Sequence, residues 1–279
     1  MDANLVLWNE LEGRGISSLD QLKESEVVEL AMRYAVWIPT QTFEKTPWLA
    51  PYALRKGRIR IDARAPGGKR DLWGFPDENG YFTDDNSLIK SVFQRRSVRP
   101  SGSAYGIGRF KRGLVCCHVW SGTTNNPLLF SFIPNLVWLP SSLAPFSDGH
   151  LAGEPHPVHK TLKQVSFARY FQHKTEVAQA RVAEAWKSLQ VGELQTIRYE
   201  QYEFEIDSQL IDLVNSRLTR ITNFLTAVLE KEEKPQRFSK RFHAGVGKGI
   251  DPTTPAIDKV VHAEKLEILL AELKRCQSK

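Results

Sequence analysis

The sequence predicts an α+β fold: a central strand–loop–strand–helix unit, with N-terminal helices before it and a largely helical region after it. Three observations carry this. Leu114-Val115-Cys116-Cys117 and Leu136-Val137-Trp138-Leu139 are apolar runs of strand length, separated by a polar turn. Ser17-Ser18 precedes Leu19, Leu22, Val27, Leu30, Ala31 and Tyr34, a spacing that places apolar side chains on one helix face. From about Pro157 onward the apolar spacing becomes long and helical.

Taken in order, residues 4–12 read as a short helix, and the helix after Ser18 runs until Pro39 ends it. Gly57-Arg58-Ile59-Arg60-Ile61-Asp62 alternates with period two and reads as a strand. Asp84-Asp85-Asn86 caps a short helix at Ser87-Leu88-Ile89-Lys90. Arg109, Lys111 and Arg112 lead into the strand that ends at Cys117-His118. Asn135 opens the second strand, and Pro140-Ser141-Ser142 starts a helix that carries Asp148 about two turns on. Residues 158–190 read as one helix, broken at Gly192. Residues 194–206 fit strand and helix equally. Helices follow over 208–231 and about 256–275, joined by a basic loop rich in Gly and Pro. The expected organisation is 1–50, an N-terminal helical segment; 51–157, the α+β core; and 158–279, the mainly helical C-terminal region.

Composition narrows the function classes. Three cysteines are an odd number with Cys116 and Cys117 adjacent, which is no disulfide framework and suits a reducing cytoplasm. No apolar stretch is long enough to span a membrane, and the opening residues lack a signal-peptide core. The net charge of +6 is unevenly spread. Residues 51–120 carry 14 Lys/Arg against 6 Asp/Glu, and residues 231–279 carry 11 against 7. Two such basic segments suit a polyanion, since each neutralised phosphate releases counterions. A merely solvated basic surface is the alternative. Gly106, Gly108 and Gly113 make no phosphate-binding loop, because no Gly-Lys-Ser/Thr follows.

The run CHVW-SGT, NLVWLP, LA and SD resembles the HNH, or ββα-metal, nucleases, over roughly 35 residues. The wider stretch from WGFPDENGYFTDDNSLIK to SD is similar to a group of uncharacterised bacterial proteins, which implies a shared fold; the nuclease likeness adds an expected role in restriction or defence. The resemblance implies a metal-dependent DNA endonuclease. His118 would be the general base that activates water, and Asn135 would fix the loop between the strands. Asp148 would be the helix-borne metal ligand, with Cys117 at a position where the family offers another ligand. The cofactor would be a divalent metal, Mg²⁺ or Mn²⁺, with Zn²⁺ as the softer option. Arg95, Arg96, Arg109, Lys111 and Arg112 would hold phosphates, and Arg237, Lys240, Arg241 and Lys248 would form a second basic contact. DNA is the expected partner, with RNA left open, and a homodimer is allowed.

The chain departs from the family pattern at Ala144, where the last His or Asn ligand usually sits. Asp148 lies past Pro145, and His150 is its substitute. Each residue also has a plain reading: His118 as a backbone-bonded core histidine, Asn135 and Asp148 as turn residues, Cys117 as a small buried apolar group. Asp84-Asp85-Asn86 with Lys90 fits the PD-(D/E)xK nuclease spacing poorly. Cys117 and His118 cannot form a hydrolase dyad, since neighbours on a strand face opposite ways. His156 and His159 lack a Cys pair for a structural zinc site. Trp73, Trp120 and Trp138 read as core, with base stacking as the alternative. Two rival functions remain: a non-catalytic nucleic-acid-binding protein on a degenerate ββα scaffold, and an interaction protein that oligomerises through the apolar stripe of residues 208–229.

Overall fold

In a computed structural model of the chain, the described residues are 2–50, 112–147, 156–176 and 178–191. Added to these are the strand pieces 53–54, 82–83, 97–100, 108–109 and 202–204, and single positions 89, 194, 212, 219, 222, 226, 267, 268, 270, 271 and 274. The helices are α1 (Ala3–Gly13), α2 (Glu24–Tyr34), α3 (Thr40–Lys45), α4 (Pro157–Tyr170) and α5 (Gln179–Ser188). The strands are β1 (Val36–Trp37), β2 (Ala53–Leu54), β3 (Phe82–Thr83), β4 (Ser97–Pro100), β5 (Gly108–Arg109), β6 (Leu114–His118), β7 (Leu136–Pro140) and β8 (Tyr202–Phe204). The class is mixed α+β. Among the described residues, no helix is long and apolar enough to cross a membrane.

The chain divides into two compact units. The first comprises Met1–Trp48, Phe93–Thr123 and Phe132–Asp207. Its six strands form one mixed sheet in the order β5-β4-β8-β1-β7-β6. Only β1 and β8 run parallel, with Val36 opposite Tyr202; the other pairs are antiparallel. The second unit comprises Leu49–Val92, Thr124–Ser131 and Ser208–Lys279. It holds the parallel pair β2 and β3, and the Ser131 hydroxyl both donates to the Ala50 carbonyl and accepts from its amide.

Local chemistry explains the N-terminal elements. The Asp2 carboxylate accepts from the amides of Asn4 and Leu5, which caps α1. Ala3, Leu7 and Leu11 recur every four residues and form its buried face. Gly113 lies just before β6 with φ +85°, and a Cβ there would sit 2.3 Å from Asp2 Oδ1, so only glycine lets the strand pass this cap. Ser18 does act as a cap, but of a short 3-10 turn, Leu19–Gln21. α2 then starts at Glu24, whose neighbour Glu26 accepts from the Lys23 amide at 2.9 Å. That bond is the main reason the Glu26 carboxyl titrates below its ordinary range.

Three expectations need correction. The helix after Ser18 ends at Tyr34 rather than Pro39, because Val36–Trp37 is drawn into the sheet between β7 and β8. The single helix expected over 158–190 is two helices, α4 and α5, joined by residues 171–178. Folding back brings Trp186 of α5 against Phe167 and Phe171 at 6.2 and 5.5 Å between ring centroids. The helix expected from Pro140 is a single 3-10 turn, Ala144–Ser147. Pro140 belongs to β7, the Ser141 amide bonds Gly113, and the Ser142 amide bonds Asn4 Oδ1, so this backbone is committed elsewhere. Residues 194–206, left open between strand and helix, include β8.

The core of the first unit is aromatic. Phe43 meets Phe132 and Tyr170 edge-on at 5.8 and 5.5 Å, and Trp37 lies 6.3 Å from Tyr170. The Tyr170 hydroxyl donates to the Ile38 carbonyl, and full burial pushes its pKa up to about 12. Beside it, Arg169 of α4 and Glu203 of β8 form an ion pair at 2.7 Å with side chains only 10% and 8% exposed. Breaking one half of such a pair strands a buried charge, so the pair fixes how α4 sits on the sheet.

Candidate active site

β6 is an edge strand of the sheet, and β7, its neighbour, is buried along its whole length. Their register places His118 opposite Leu136 and Cys117 opposite Val137. His118 is therefore the last residue of β6, half-buried, where the ladder opens into the loop. The pleat sends Cys117 to the opposite face from His118. Cys117 is buried, with its sulfur 3.6 Å from the Val115 carbonyl oxygen, the setting of a small apolar side chain with a weak S–H donor.

Asn135 is the organising residue. It ends the 3-10 turn Ile133–Asn135, directly before β7, and is fully buried. Its side-chain oxygen accepts from the Trp120 amide at 2.9 Å, and its Nδ2 donates to Thr123 Oγ1 at 2.8 Å. Its own carbonyl accepts from the Val119 amide at 2.9 Å. Thr123 closes the circuit by donating to the Trp120 carbonyl at 2.6 Å. One amide side chain thus holds the turn that leaves His118, using both its acceptor and its donor. Asn135→Ala is expected to destabilise the first unit by about 2–4 kcal/mol, because it leaves the buried Trp120 N–H without its acceptor and opens a small void. A urea-unfolding midpoint unchanged from the parent chain would show that the loop does not depend on this residue.

Sequence reading missed Thr123. In SGTTNN it resembles any polar turn residue, and only the position of Asn135 reveals its role. It also missed the seat of Asn135 itself. Ser166 of α4 donates to the Pro134 carbonyl, so the helix after the hairpin is bonded to the residue just ahead of Asn135.

The other candidates are placed as follows. Asp148 and His150 lie outside the described residues, as do Arg95, Arg96, Lys111, Arg237, Lys240, Arg241 and Lys248, and Asp84, Asp85, Asn86, Lys90 and Trp73. Arg109 is in β5, at the opposite sheet edge from β6. Arg112 is exposed, and its carbonyl accepts from the Ala3 amide. Ala144 begins the 3-10 turn that Ser147 closes with a 2.7 Å bond to its carbonyl. Trp120 and Trp138 are core residues, packed edge-on against Trp186 and Phe204 at 6.4 and 5.2 Å. His156 caps α4 by accepting from the Val158 amide through Nδ1, and His159 is buried on that helix.

Among the described residues, no group of three or more His, Cys, Asp or Glu side chains gathers to hold a metal ion. Cys117 is a soft donor bonded within its own strand, so these residues alone do not fit a hard Mg²⁺ ion. No protein-family model, no curated protein and no solved structure matches the chain.

Proposed function

We propose that the chain is a DNA endonuclease of the HNH, or ββα-metal, type, acting in restriction or defence and dependent on a divalent ion such as Mg²⁺ or Mn²⁺. The observation that supports this most is the Asn135 circuit. A histidine at the end of one strand, and an asparagine just ahead of the next that holds the intervening turn, is the division of labour this chemistry needs. The bond from Ser166 of α4 to the Pro134 carbonyl further steadies the residue just ahead of Asn135.

His118 acts as the general base and takes a proton from water through its imidazole nitrogen. The water oxygen attacks phosphorus in line, the bond from phosphorus to the 3′ oxygen breaks with its electron pair leaving on that oxygen, and the oxyanion takes a proton from solvent to become the 3′ hydroxyl. The pinned turn keeps the imidazole from drifting, which matters because a general base must stay within hydrogen-bond reach of the proton it takes. The basic segments, with 14 and 11 Lys/Arg residues, would hold the phosphate backbone.

The test is supercoiled plasmid incubated with purified protein and Mg²⁺ or Mn²⁺, with and without chelator. Nicking that chelator abolishes is the expected result. A salt-sensitive gel shift with no nicking under any metal would instead favour a non-catalytic nucleic-acid-binding protein on the same scaffold. The residue that favours this second reading is Ala144, which stands where the family carries a ligand.

A further inference from the structure

Residues 171–175, which follow α4, and one face of α5 with the two residues Gln190 and Val191 beyond it enclose an open groove of about 820 Å³. Its floor is apolar, with Phe171, Val182 and Trp186; its rim carries Lys174 and Lys187. None of the described lining residues is acidic. His173 also borders the groove, but its ring is 2.8 Å from Glu44, so the two lysines carry the rim's charge.

Phe171 is 46% exposed, one of three large apolar side chains left exposed among the described residues. Its ring rests on Phe167 at 4.4 Å and on the edge of Trp186, which holds it in place while the rest of it stays open to the groove. Two non-glycine residues have left-handed backbones among the described residues, Ala178 (φ +56°) and Gln190 (φ +52°). They bracket α5 at its two ends, and Gln190 lines the groove. Such conformations persist where surrounding structure holds them and cluster at binding sites.

We propose that this groove binds a nucleotide unit, with the base stacked on Phe171 and the phosphate between Lys174 and Lys187. A purely apolar ligand leaves the paired lysines unused, and a bare phosphate leaves the aromatic floor unused. A planar base carrying an anionic phosphate uses both. The volume suits one such unit rather than a folded partner. Trp186 in the floor meets Trp120 at 6.4 Å, and the Trp120 amide is the one that Asn135 holds. The groove is thus one aromatic layer from the turn after His118; that the nucleotide belongs to the strand being cut rests on the nuclease reading, while the groove itself does not.

Calorimetric titration of the full chain with deoxyadenosine 5′-monophosphate and with a short oligodeoxyadenylate strand tests this. The parent protein should bind at least one of the two, and more tightly than it binds adenosine or inorganic phosphate alone. Phe171→Ala, and separately Lys174→Gln with Lys187→Gln, should each weaken binding about tenfold. The lysines are exposed, so that pair reads out even where the Phe171 variant folds poorly. Preference for the strand identifies a nucleic-acid source, and equal affinity identifies a free nucleotide. Absence of binding by the parent chain, or folded variants that bind as well as the parent, overturns the proposal. A protein that binds here but cuts no DNA keeps the groove and loses the nuclease reading.

Discussion

Trp186→Ala is expected to destabilise the first unit by about 3–5 kcal/mol. Trp186 is 6% exposed and is the ring on which several elements converge. Phe132, ahead of β7, meets it at 5.4 Å, Trp120 at 6.4 Å, and Phe167 and Phe171 at 6.2 and 5.5 Å. The contacts are edge-to-face, the arrangement that ring quadrupoles favour. Truncation would remove the ring that the other four meet and leave a cavity among them. The loss should appear as a lower midpoint in guanidinium unfolding followed by near-UV circular dichroism. Phe171→Ala should cost much less, since that ring is already half exposed. A Trp186→Ala protein within about 1 kcal/mol of the parent would show that the two helices are held together by something other than this cluster.

Particular elements show what the sequence could and could not reveal. β6 and β7 were legible because each is a short apolar run bounded by polar turns, and β7 is buried on both faces. The helix read over residues 4–12 is α1, with Leu7 and Leu11 one turn apart on its buried face. β1 was not: a two-residue strand has no period of its own, and Val36 and Trp37 continue the apolar spacing of α2. Its parallel pairing with β8, far along the chain, is a tertiary choice that local pattern does not encode. The break between α4 and α5 carries no Gly or Pro, so only the aromatic packing reveals it.

The same contrast holds for the candidate site. Asn135 stood out through the HNH resemblance, and its amide side chain bonds Trp120 and Thr123 across the loop. The helix expected from Pro140 does not start there because Pro140 is still paired with Leu114 in the sheet, and the amides of Leu143 and Phe146 then bond three residues back, to Pro140 and Leu143. Lys174 and Lys187 gave no signal, since Lys187 is on α5 and Lys174 lies ahead of it, and both line one groove only in the folded chain.

The central claim is that His118 does the chemistry at the end of β6. It is tested most directly by comparing the parent chain with His118→Ala in two assays run side by side, plasmid cleavage with Mn²⁺ and gel-shift affinity for the same DNA. Losing a general base should slow cleavage about 100- to 10,000-fold. DNA affinity should change little, because on this proposal lysines and arginines elsewhere would hold the phosphates. Cleavage that persists at the parent rate in a folded His118→Ala protein would contradict the claim and leave the imidazole as a structural residue at a strand end.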